Sequence, residues 1–151
     1  MGLYASTAES MSVSSGMATL LEVDQGANRV ITITEASVTF SGVSSTDPPV
    51  LVEFCQITSS SASGTAVTIS SLRGNQATVN ATSKKLPATE GTVNILKAYM
   101  VPPSSGLVIQ YPQGREPQIV GAAGYMAGFS IRANRGAGAA INADSTIEFE
   151  E

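Results

Sequence analysis

The chain has 151 residues, 42% of them hydrophobic and only 13% charged, with a formal net charge of −4, one cysteine and neither histidine nor tryptophan. Without imidazole the commonest proton carrier and metal ligand at neutral pH is missing, so no catalysis, no metal and no cofactor are expected. Eight Lys and Arg against twelve Asp and Glu supply too little positive charge to displace counterions from phosphates, which argues against sequence-independent nucleic-acid binding.

A chain of this length suits one domain that buries roughly two-thirds of its unfolded surface. Residues 1–10 read as an N-terminal arm and residues 11–151 as the domain. Leu3 and Tyr4 form an apolar pair ahead of the first periodic run, which makes them candidate partner contacts. The opening Met1-Gly2-Leu3-Tyr4-Ala5-Ser6 also fits the short N-myristoylation pattern, although a docking arm is its ordinary reading. No basic and apolar leader opens the chain, and no apolar run reaches the roughly 18 residues of a membrane span, so a soluble protein outside the secretory route is expected.

Period-two alternation of β-branched residues predicts strands at about 18–23, 29–40, 50–57, 65–70, 92–101, 107–111 and 145–151. The alternation of Tyr125, Ala127, Phe129, Ile131 and Ala133 predicts another. Within 29–40 the apolar phase moves from Ile31 and Ile33 to Ala36, Val38 and Phe40, which places a bulge near Thr34-Glu35. The run 50–57 is low in charge, and its spare apolar face suits a symmetric homo-oligomer, with a trimer favoured. Its Cys55 has no partner for an intrachain disulfide and reads as a buried, inert thiol.

Residues 71–91 are polar and carry Asn75, Asn80, Lys84 and Lys85; they read as a long excursion from the core. Lys84 and Lys85, a brief basic pair, join Leu3 and Tyr4 as candidate contacts, the plain alternative being a solvated loop. Asn80-Ala81-Thr82 is a glycosylation sequon that reads as loop sequence, and Gly136-Ala137-Gly138 lacks the Lys-Ser/Thr of a phosphate loop. Near the end, Glu148 and Glu150 should share one face of a strand.

Asp47-Pro48-Pro49, Pro102-Pro103, Pro112 and Pro117 punctuate these runs by fixing φ and removing ladder donors. Many short strands separated by such turns predict an all-β, single-domain antiparallel β-sandwich, jelly-roll-like. Its expected core includes Ile31, Ile33, Val52, Phe54, Val93, Ile95, Phe129, Ile131, Ile147 and Phe149.

Three segments carry a resemblance: the opening Met1-Gly2-Leu3-Tyr4, the segment Arg115-Glu116-Pro117-Gln118-Ile119-Val120 and the ending Ile147-Glu148-Phe149-Glu150-Glu151. Over about half the chain, mainly its ends, the sequence resembles a family of small tailed-bacteriophage virion proteins. The resemblance implies a capsid decoration (cement) protein, jelly-roll-like and often trimeric. Such a protein is made in the host cytoplasm and binds the major capsid protein on the outside of the virion shell; no catalytic residues come with the resemblance. The alternatives are a phage tail or fibre component binding host glycan, or a cellular carbohydrate-binding β-sandwich module. The shortage of aromatic rings weakens the carbohydrate readings, because sugars stack on such faces.

Overall fold

The computed structural model describes residues 1–26, 29–42, 46–59, 61–74, 78–121 and 128–151. Its strands are β1 (Leu3–Val13), β2 (Ala18–Asp24), β3 (Val30–Phe40), β4 (Val50–Ile57), β5 (Thr65–Ala66), β6 (Ile69–Ser71), β7 (Thr82–Lys85), β8 (Val93–Val101), β9 (Gly106–Gln110), β10 (Gln118–Val120), β11 (Gly128–Asn134) and β12 (Ile141–Glu150). They form two antiparallel sheets, β10-β3-β12-β1-β6 with β9 also on β3, and β5-β7-β2-β11-β4-β8. Set β5 to β7 and the short β10 aside, and the sheets read β9-β3-β12-β1 and β8-β4-β11-β2. The chain changes sheet at β1–β2, β2–β3, β3–β4, β8–β9, β10–β11 and β11–β12, which is the interleaving of a jelly roll. The protein is a β-sandwich of that kind.

Alternation explains most of the core. Ile31, Ile33, Val52, Phe54, Phe129, Ile131, Ile147 and Phe149 are all buried between the sheets. Phe54 and Phe129 lie 6.4 Å apart between ring centroids and anchor the middle of the sandwich. The phase change in β3 is a bulge: Glu148 of β12 pairs with Glu35 and Phe149 with Ile33, so Thr34 is the extra residue. Tyr125 and Ala127 lie outside the described residues, while Phe129, Ile131 and Ala133 of the same run are buried on β11.

Val93 and Ile95 correct the expected core. Facing inward on β8 are Tyr99, paired with Val52, and Lys97, paired with Phe54. The next pair is Cys55 with Ile95, so Leu96 is a bulge residue and the strand beyond it shows its other face. Val93 is half-buried and Ile95 is 56% exposed as a result.

Two segments depart from their expected form. Residues 3–13, read as mostly arm, are β1, which pairs with β12 along its length and with β6 on its other side. Residues 58–92 connect β4 to β8 and are only partly the excursion expected. Their strand 65–70 is two pieces, β5 in one sheet and β6 in the other, and β7 pairs with β2. This insertion widens both sheets at the edge away from β8.

The connections β1–β2, β3–β4, β8–β9 and β11–β12 gather at one end of the sandwich. Gly42, just past β3, donates its N–H to the Pro103 carbonyl at 2.7 Å. An added Cβ there would collide with that carbonyl, so glycine is what allows the two connections to touch.

Candidate contact site

The four residues expected to meet a partner are distributed differently. Tyr4 is buried in β1, its ring 5.8 Å from that of Phe149, because a residue with even phase on this strand points into the sandwich. Leu3 is half-buried on the opposite face, pairing with Glu150. Lys85 reaches the Glu9 carbonyl at 3.4 Å and stays near the surface. Lys84 and Lys85 sit together only as strand neighbours, their side chains leaving β7 on opposite faces.

Lys84 is an internal cation rather than a free one. Its Nζ lies 3.0 Å from Asp24 and 3.3 Å from Glu22, and it donates to the Ser61 carbonyl at 2.8 Å. Glu22 and Asp24 are both buried on β2, and Glu22 also accepts the Ser61 hydroxyl at 2.5 Å. The network holds the loop after β4 against the outer face of its sheet. Two acids in Leu20-Leu21-Glu22-Val23-Asp24, an otherwise apolar strand, were a legible sign that a cation must come from elsewhere in the chain.

Two carboxylates share this one ammonium. Burial, followed by the charge of Asp24, raises the Glu22 pKa above 4.5 despite the Ser61 hydrogen bond. Burial also works against the Lys84 charge, but the hydrogen bond and charge of Asp24, then those of Glu22, outweigh it and raise its pKa. On the outer face of the other sheet, burial and then Glu35 raise the Glu148 pKa. A carboxyl group raised in the folded state binds more protons there than in the unfolded chain, so its contribution to stability declines as pH rises through the window above 4.5. The melting temperature is expected to rise on mild acidification from about pH 7 to about pH 5, with Glu22→Gln reducing that slope. An unchanged slope in the variant would remove Glu22 from the account.

Exposed apolar side chains lie on β3, β9 and β10, at Val30, Val108 and Val120, and are most numerous on β8. Ile95 is 56%, Leu96 43% and Met100 61% exposed, and among the described residues β8 pairs with no strand besides β4. Met100 leaves the outer face beside the half-buried Leu51 of β4 and Ile95 beside Cys55, while Leu96 projects at the bulge. The expected subunit-contact strand 50–57 is instead an interior strand, flanked by β11 and β8, with little spare surface. The single charge on β8, Lys97, is exposed and lies over the Tyr111 ring at 5.2 Å, on the face opposite Ile95 and Met100.

Polar chemistry elsewhere is sparse. Burial pushes the Cys55 thiol up to about 11, which keeps it protonated and unreactive at neutral pH. Glu148 and Glu150 do share the outer face of β12, with Phe149 and Ile147 buried behind them. Among the described residues no three His, Cys, Asp or Glu stand close enough to hold a metal ion. Set against protein-family models, curated proteins and solved structures, the chain matches none.

Proposed function

We propose that this chain is a structural protein of a bacteriophage virion, a capsid decoration protein that binds the outside of the major capsid shell and stabilises it. The observation that carries the reading is β8, a nine-residue strand that among the described residues pairs only with β4, with Ile95, Leu96 and Met100 exposed and no charge on the face of Ile95 and Met100. Exposed apolar surface of this kind suits association, because burying it on a neighbour needs little desolvation of charge. The Ser- and Thr-rich surface suits broad contact for the same reason. Area buried across the joints between shell subunits would hold them together by mass action. The same β8 surface supports the accompanying proposal of a symmetric homo-oligomer, trimeric at threefold sites of the shell.

Purified particles are the test. The protein is expected in copy numbers comparable with the major capsid protein, and particles lacking it should release their contents at a lower temperature. Adding back a Met100→Glu variant should restore less of that resistance than the parent, since a carboxylate on β8 must be desolvated at the joint. Finding the protein only in tails or fibres would overturn the reading.

A further inference from the structure

The base of the insertion between β4 and β8 is almost free of apolar side chains. It leaves β4 through Thr58-Ser59-Ser60-Ser61-Ala62 and returns to β8 through Thr89-Glu90-Gly91-Thr92. The Thr58 N–H donates to the Thr92 carbonyl at 2.8 Å and the Ala62 N–H to the Thr89 carbonyl at 2.9 Å, so the two stretches form one strap. With Ala62 as its sole hydrophobic residue, the strap gains little from apolar burial. Glu90 and Ser61 fasten it. Glu90 meets Nε of Arg132 on β11 at 3.0 Å and accepts the Thr19 N–H of β2. Ser61 donates its hydroxyl to Glu22 of β2 at 2.5 Å, and its carbonyl accepts from the Lys84 ammonium at 2.8 Å.

These contacts lie on the outer face of the sheet, close to Cys55. Phe54 faces the core, so Cys55 points outward, between Ser130 of β11 and Ile95 of β8. Cys55 and Ser130 are both 0% exposed, although Ile95 beside them is 56% exposed. Burial is the first cause of the raised thiol pKa, and Arg132, Glu53 and Glu90 also act on it by charge, which sets the Glu90–Arg132 pair beside the thiol. Lifting the strap would exchange polar contacts for water, and Glu22, Ser130 and Arg132 beneath it would regain hydration. Unfolding the sandwich must instead expose the whole apolar core, which costs far more. From this polar seam we infer that the strap opens as a unit while both sheets stay folded, uncovering Cys55 beside the exposed Ile95. The open state widens the apolar strip of β8 onto β4, because a protonated thiol behaves as a small hydrophobe. The device does not depend on the capsid reading.

The test is the rate at which N-ethylmaleimide labels the full chain, whose single thiol is Cys55. At low urea the rate should hardly depend on urea, because opening exposes little surface, and it should steepen only near the unfolding transition. Glu90→Gln should speed the low-urea rate by about tenfold, since the pair with Arg132 and the charge on the bond from Thr19 are lost. Ser61→Ala should speed it too, and decides alone if Glu90→Gln does not fold. Ile147→Val, in the core beneath the other sheet, should lower the urea midpoint yet leave the low-urea rate unchanged, because that packing persists in the open state. A rate steep in urea throughout, or accelerated as much by Ile147→Val, would mean that only global unfolding frees the thiol. A rate unchanged by both strap variants would mean that β8 frays instead. Each of these results would overturn the inference.

Discussion

Replacing Phe54 with alanine is expected to cost about 3–5 kcal/mol of folding stability, read as a large fall in the urea midpoint with little change in slope. Phe54 is fully buried, packs on Phe129 at 6.4 Å and on Tyr99 at 6.3 Å, and belongs to β4, which is hydrogen-bonded on both sides. Neither flanking strand can slide into the space without breaking its register, so the cavity stays open. Domains of this size have only about 5–15 kcal/mol in total, so the variant should be marginal at body temperature. Met100→Ala is the control, since a side chain mostly in water should change stability by less than about 0.5 kcal/mol. Similar losses at the two positions would mean that β8 is covered in solution and that its partner contributes to the measured stability.

The contrast between these positions shows what alternation can and cannot convey. A strand with one wet face writes its burial into every second residue, and that is why the core of β3, β4, β11 and β12 and the bulge at Thr34 were legible. A bulge on β8 was not, because nothing in Val93-Asn94-Ile95-Leu96-Lys97 marks Leu96 as the extra residue. The same cause hid β1. Its inward set is Tyr4, Ser6 and Ala8, then Met11 and Val13 after a shift in register, with Ser10 at φ +56° and its N–H on Asp144. One inward member is a serine, buried because its hydroxyl pairs with that of Ser83 at 2.6 Å. Hydrophobicity carries no trace of such a partner. Lys84 and Arg135 were hidden for a related reason: the acids that hold them, Glu22 and Asp24 in one case and Asp47 in the other, come from distant segments joined only by the crossovers of the fold.

Deleting residues 2–7 should therefore abolish cooperative folding rather than trim a docking arm. Residues 3–7 pair with 146–150 of β12, and residues 4–6 pair with 69–71 of β6 on the other side. Their removal would strip the partner from the middle of one sheet, uncover Phe149 where Tyr4 stacks on it, and leave Ser83 without its buried hydroxyl partner. It would also remove the reciprocal bonds between Gly2 and Glu151 that close the two ends of the chain together, at 2.8 and 3.1 Å. Loss of a buried aromatic alone costs about 3–5 kcal/mol, and an interior strand with its ladder adds enough to consume the stability of a domain this size. The truncated chain is expected to bind a hydrophobic dye, lose its near-ultraviolet circular dichroism and show no sharp melting transition. Leu3→Ala and Lys85→Ala, which change the more exposed side chains of the same region, should melt within a few degrees of the parent. A truncated protein that kept the parent's transition would restore the arm and displace β1 from the sheet.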